Sequence, residues 1–261
     1  MIKRLALFAF GLFAYVMSLG TLAYAAAFVG GFGPTSLDRV PSTPLLPALL
    51  IDAGLLALFA VQHSVMARPW FKDRWTQVVP WAIERSTYVL AASLALLLLF
   101  WQWRSIGGVV WQVQNTPLQA LLWVLSAAGW ALALIATVAI NHFELFGLRQ
   151  VWLPLIGRPY STIPFSTPGL YRVVRHPLYL GFMLAFWMTP TMTVAHLLFA
   201  VTTTAYILIA IQFEEHDLTA EYGDTYREYR GRVRMILPLG PPAHDLTANT
   251  GAPPRRVGIH D

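Results

Sequence analysis

The chain has 261 residues, 56% of them hydrophobic and only 12% charged, with a formal net charge of +5 and no cysteine. Apolar runs near or beyond the roughly 20 residues that cross a bilayer exclude a soluble two-domain protein and predict an all-α fold, a polytopic integral membrane helical bundle. Lack of cysteine excludes disulfides, thiolate metal sites, c-type haem attachment and a cysteine nucleophile. The basic residues are dispersed among the spans rather than gathered on one soluble face, which excludes nucleic acid as a partner.

Lys3 and Arg4 precede an apolar run from Leu5 to about Val29. The small residues from Ala23 to Ala27 could pass for a signal-peptidase site, but the run outlasts a signal h-region and reads as an uncleaved first span. Gly30 to Thr43 is a Gly- and Pro-rich loop. Pro44 to Ala67 is the second span and carries Asp52, Gln62 and His63, followed by a basic aromatic belt from Arg68 to Trp75. The third span runs from about Ser86 to Trp103, and the fourth from Pro117 to Ile140, ending in the polar stretch Asn141 to Glu144. These four spans form one expected unit, residues 1–140. Residues 141–235 form a second, the core, and residues 236–261 an expected disordered tail with little that could pack.

A loop rich in proline and glycine leads to RVVRHPLYLGFM at 172–183. The apolar arm from Leu178 to Met188 gives on the order of 16 Å of helix at 1.5 Å per residue, whereas Val194 to Phe213 is long enough to span. The turn Thr189-Pro190-Thr191 is expected to join them as a C-terminal helical hairpin. If that turn reaches the far face, His176 starts its helix level with Tyr206, and Glu214-Glu215 lie about 12 Å nearer the cytosol. Beyond Glu215 an interfacial helix is expected, with Tyr222, Tyr226 and Tyr229 on one face and Arg227, Arg230, Arg232 and Arg234 around them.

Arginines, a histidine and paired carboxylates at the mouths of an apolar hairpin need a chemical reason, because unpaired charge at a membrane is costly. Pro177 suits a first helical turn, His176 and Tyr179 share a face, and Gly181 lets something approach the backbone closely. Carboxylates suit a cationic ligand. The combination of Arg175-His176-Pro177-x-Tyr179-x-Gly181, Glu214-Glu215 and a Tyr-Gly-x-x-Tyr-x-x-Tyr-Arg ending at Arg230 resembles the isoprenylcysteine carboxyl methyltransferase-like superfamily of membrane methyltransferases. Further stretches at 62–72, 84–90, 141–152 and 186–200 resemble the bacterial methanethiol S-methyltransferases. The resemblance implies S-adenosylmethionine as methyl donor and methanethiol, a small volatile thiol, as acceptor, giving dimethyl sulfide. The lipid bilayer is the expected surrounding partner, and no protein partner is expected. Carried over by motif, Arg175, His176, Tyr179, Gly181, Glu214, Glu215, Tyr229 and Arg230 would hold the donor.

Transfer from a sulfonium to sulfur is one in-line displacement, so the protein must bring two sulfurs together, exclude water and promote the thiolate. The candidates for chemistry are His142, His176, Glu214 and Tyr226, with His63, Glu144, Asp217 and Tyr229 near the same membrane level. His63, Trp187, Tyr206 and Phe213 are the candidates for a narrow acceptor pocket. His196, near the opposite face, is excluded. Two alternatives stay open: a prenylcysteine or lipid acceptor, and a haem or metal site built from the three histidines of one level.

All but Arg39 and Arg104 of the 18 basic residues fall on one side of the predicted spans, which puts both termini and the motif on the cytoplasmic face, in a bacterium the face of the cytoplasmic membrane. Reporters fused after Arg4, Arg74, Arg158 and Arg230 are expected to read cytoplasm, and those near Thr35 and Gln112 the exterior. An exterior signal at Arg158 would overturn this placement of the site.

Overall fold

The computed structural model describes residues 1–238 and is an all-α membrane bundle, with five helices long and apolar enough to cross a bilayer. The tail beyond residue 238 lies outside the described residues. In chain order the helices are α1 (Ile2–Gly30), α2 (Leu45–Ala67), α3 (Pro69–Trp75), α4 (Glu84–Gln102), α5 (Thr116–Ile140), α6 (His142–Leu145), α7 (Leu148–Leu155), α8 (Pro177–Trp187), α9 (Val194–Tyr222) and α10 (Asp224–Arg232). Their ends follow local chemistry. Gly31, at φ 76°, closes α1 in a left-handed conformation, Asn115 caps α5 by accepting from Leu118 N, and Thr193 caps α9 by accepting from His196 N. The first four spans agree with the expected ones to within a few residues.

The hairpin return departs from expectation. Six residues, Met188 to Thr193, connect α8 to α9, and Thr191–Thr193 form a strand, β2, antiparallel to β1 (Val109–Gln112). The two strands share the end of the bundle opposite the RHPxY motif. A strand this short has no hydrophobic period of its own and exists only through its partner. The same end is fastened by His196, whose Nε2 faces the Phe186 carbonyl at 2.9 Å and whose Nδ1 faces Asp38 Oδ2 at 3.2 Å.

A second departure concerns the interfacial helix. Tyr222 ends α9, and Gly223, at φ 56°, turns the chain into α10, which carries Tyr226 and Tyr229. The three tyrosines therefore do not share one helix. They converge because all three rings pack on Phe165, at centroid distances of 5.0, 5.9 and 5.6 Å.

The short arm α8 lies against α5, so the tightest helix pair joins segments on either side of residue 140. Gly181 and Gly129 face each other there. A Cβ on Gly181 would sit 2.6 Å from both Ala133 N and Gly129 O, and one on Gly129 equally close to Ala185 N and Gly181 O. Ser126 Oγ adds a hydrogen bond to the Ala185 carbonyl at 3.1 Å. In lipid, where no hydrophobic force draws helices together, small residues and such bonds hold a pair through close packing. The close approach expected at Gly181 is thus made by α5, and Gly181 drops out of the donor-binding set. Gly181→Ala is expected to cost roughly 1–3 kcal/mol through overpacking, read as a lower thermal midpoint. A selective loss of donor binding at unchanged stability would return Gly181 to the donor site.

Candidate active site

Pro177 opens α8 without an N–H to satisfy, which leaves His176 as its N-cap at φ −125°. The chain just ahead is held by its own C-terminal strap. Val174 and Arg234 form a parallel bridge, Arg175 N donates to Arg234 O at 2.7 Å, and His176 N to Met235 O at 3.1 Å. Ile236, grouped with the tail by sequence, is buried against Ile207 and Ile211 of α9, and this apolar anchor keeps the strap in place.

Glu215 is the hub. Its Oε1 accepts from Arg175 Nε at 2.7 Å and from His176 Nε2 at 3.0 Å, while Oε2 lies 3.3 Å from Arg230 Nε. Arg175 also donates to the carbonyls of Arg230 and Val233. Glu215 and His176 are buried. His176 therefore stands level with Glu215, and the expected 12 Å offset between them is absent. That expectation ran two straight arms of unequal length from a tight turn at one level, whereas the difference in arm length is taken up at the far end by the extended residues 188–193.

Glu214 differs from its neighbour. Its side chain is 44% exposed, its Oε2 accepts from the Tyr179 hydroxyl at 3.0 Å, and it lies 3.8 Å from His176 Nδ1, too far for a hydrogen bond. With Nε2–H given to Glu215, the neutral His176 tautomer leaves Nδ1 as an open acceptor. Two further polar atoms at this end are buried without a partner among the described residues, Tyr226 Oη and Arg234 Nε. A half-exposed carboxylate, an unused phenol and an unused guanidinium nitrogen suit a ligand that carries both positive and negative groups. Burial, then the Glu215 charge, raises the Tyr226 hydroxyl well above the usual phenol range, so it stays protonated at neutral pH and can donate but not act as base. Burial also pushes Tyr229 up to about 12 against the pull of Arg175, and its hydroxyl donates to the Tyr171 carbonyl at 2.7 Å. Beside it, Phe165, Arg172, Thr225, Glu228 and Tyr229 line a cleft of about 360 Å³.

The remaining candidates separate. His142 has both ring nitrogens engaged, by Tyr15 at 2.9 Å and Thr137 at 2.8 Å, and burial lowers its pKa. Glu144 is committed to Arg149, Gln150 and Tyr160, and Asp217 to Arg68. Trp187 points into the bundle, donating to Thr204 Oγ1, and Phe213 is half-exposed beneath the Arg68 guanidinium, so neither joins Tyr206 in one pocket. Tyr206 instead meets Ser64 at 3.1 Å and the ring of Phe59, which stacks on His63 at 5.1 Å. His63 is bonded to the Tyr88 hydroxyl. His63, His142 and His176 thus occupy three separate settings, and among the described residues no three histidine or carboxylate side chains converge in metal-binding geometry. Phe165 and the strap were not found by sequence reasoning, and Ser64, Arg68 and Tyr88 were read only within longer stretches; an aromatic in a Pro-rich loop was the available signal for Phe165.

The chain is 53% identical over 231 residues to the methanethiol S-methyltransferase of Crocosphaera subtropica, covering 88% of this chain and 91% of that one. It is 52% identical over 237 residues to the Mycobacterium tuberculosis protein of the same name, covering 90% and 97%. Nurim of Bos taurus is 31% identical over 190 residues, 70% of this chain and 72% of that one. No protein-family model and no solved structure matches.

The two adjacent acids should respond differently. Glu215→Gln leaves buried arginine and imidazole groups short of a counter-charge and is expected to cost about 3–5 kcal/mol of stability. Glu214→Gln, half in water, should change stability by less than about 1 kcal/mol while weakening the binding of a cationic donor in calorimetry. Equal losses of stability would show that the two carboxylates share one structural role.

Proposed function

The chain belongs to the methanethiol S-methyltransferase family, and from that premise we propose that it methylates methanethiol to dimethyl sulfide with S-adenosylmethionine, at a cytoplasm-facing site in the membrane and by direct transfer. The single observation that carries the site assignment is the split acid pair: Glu215 saturated by Arg175, His176 and Arg230, and Glu214 left half-exposed beside Tyr179. When bound, S-adenosylmethionine supplies a methyl group on a positively charged sulfur and keeps the bonding electron pair as that bond breaks.

The residues around it have four tasks. Glu214 offers charge to the cationic part of the donor. Tyr226 Oη and Arg234 Nε, which lack partners among the described residues, offer donors to its carboxylate and its neutral polar groups. Arg175, Arg230 and the strap hold His176 and Glu215 rigidly, so little reorganisation accompanies the reaction. His176 Nδ1 is the acceptor best placed to take the thiol proton, because its partner nitrogen is fixed by Glu215. A chain without cysteine cannot hold the methyl group on a protein thiol, which favours direct transfer with donor and acceptor bound together.

Initial rates with labelled donor against methanethiol, ethanethiol, a farnesylated cysteine analogue and free carboxylates test this reading. Methanethiol and ethanethiol are expected to lead, with intersecting double-reciprocal lines. The rate should rise between about pH 6 and 9 as the thiolate fraction grows. Tyr226→Phe should keep that slope, whereas His176→Gln should flatten it or shift it upward. Faster methylation of the prenylated carboxylate would overturn the thiol assignment, and parallel lines would overturn direct transfer.

A further inference from the structure

On the outer flank of the site, α2 and α9 diverge and leave an apolar groove of about 440 Å³. Its walls include Leu49, Ala53 and Ala57 from α2 and Leu198 and Thr202 from α9. It extends from the half of these helices nearest the β1–β2 end as far as Phe59, Ala60 and Tyr206. Thr203, which also borders it, gives its hydroxyl to the Phe199 carbonyl of its own helix, so that side chain offers no free donor to an occupant. The volume far exceeds a one-carbon thiol, and of the four residues expected to line a narrow acceptor pocket, Tyr206 alone borders it.

Its inner end is closed by site residues. Tyr206 crosses from α9 to Ser64 of α2 at 3.1 Å, Phe59 lies edge-on to Tyr206 at 6.2 Å, and behind Phe59 stand His63 and Tyr88. We infer that this groove admits the neutral thiol acceptor from the hydrocarbon of the membrane, with Tyr206 and Phe59 as its inner gate. The inference rests on the proposed thiol methylation and adds the acceptor's route. Charge in hydrocarbon is costly, so the protonated thiol is the form that travels, and its S–H bond breaks only beyond Tyr206, where the proton passes to a base and the sulfur lone pair attacks the methyl carbon as the donor's sulfur leaves with the electron pair of its methyl bond. The donor, charged and water-soluble, enters from the opposite, polar mouth.

The test fills the groove from both walls in the full-length protein in nanodiscs, with Ala57→Trp and separately Thr202→Phe, neither of which touches the donor cluster. Each is expected to lower kcat/KM for methanethiol at least about tenfold through KM, with donor affinity by calorimetry unchanged. In the unaltered protein, hexanethiol, long enough to occupy the groove, should raise the apparent KM for methanethiol without changing kcat. If the filled variants bind donor and keep full kcat/KM, or if hexanethiol has no effect on the unaltered protein, the passage is overturned while the methylation reading stands. Loss of a bound lipid from the filled variants in native mass spectrometry, at unchanged thiol kinetics, would assign the groove to an acyl chain and overturn it as well. Absence of methanethiol methylation by the unaltered protein would instead sink the functional reading itself.

Discussion

The structure depends on one buried carboxylate. Glu215 joins three parts of the chain that are far apart in sequence: its own α9, the Arg175-His176 entry to α8, and Arg230 on α10. Taking such charges out of water costs several kcal/mol per ion, and mutual attraction repays this only when every acceptor site is used. Here Oε1 is shared by two donors and Oε2 faces a third, so the arrangement has few alternatives. What the network contributes is less net stability than uniqueness: shifting either helix by one residue would leave a guanidinium or an imidazole buried without a counter-charge. The strap strengthens the same point, since the backbone N–H groups of Arg175 and His176, which precede the helix and have no acceptor within it, are satisfied by residues 234 and 235.

Around this hub, Glu215 alone does not balance the charge. Arg175 and the more exposed Arg230 both face it, and Glu214 stands half in solvent, bonded to Tyr179. A site with a fixed positive frame and one available carboxylate has complementary places for the two ends of a zwitterion. The pairing of α8 with α5 makes the frame stiff. Gly181 and Gly129 bring the helix backbones together, so the first turn of α8, carrying His176 and Tyr179, is fixed from one side by packing and from the other by ions. This explains how a helix of 11 residues can present charged groups inside a bundle of much longer ones.

The spans were legible because their physics is local. A run of apolar residues of bilayer length must be a helix in lipid, and the residues between Leu45 and Ala67 or Thr116 and Ile140 need no partner to be recognised. Arg175, His176, Glu214 and Glu215 were legible for the opposite reason, as charges out of place in an apolar chain. What could not be read depends on partners distant in sequence. Strands β1 and β2 stabilise each other across about 80 residues, Phe165 acquires meaning only from Tyr222, Tyr226 and Tyr229, and Gly181 serves a helix rather than a ligand. Trp187 and Phe213, close to the motif in sequence, diverge because one faces the core and the other the rim, a difference set by helix rotation against neighbours that an almost uniformly apolar segment does not encode.

The geometry separates two environments that the chemistry needs to keep apart. At one end lie ionised groups suited to a charged, hydrated donor; on the flank lies an apolar wall of alanine and leucine suited to a neutral thiol. Tyr179 and Tyr206 stand between them, and each phenol is occupied, by Glu214 and by Ser64. A phenol held in a hydrogen bond is a poor partner for a passing thiol, so the boundary neither traps the acceptor nor admits bulk water through unsatisfied groups. On the proposed route, deprotonation falls to the inner side of that boundary, where the arginine-rich frame would stabilise a thiolate and where the nucleophile would form next to the carbon it attacks. The membrane would then be more than an anchor, because it would deliver the acceptor in its protonated form to the place where that form stops being the stable one.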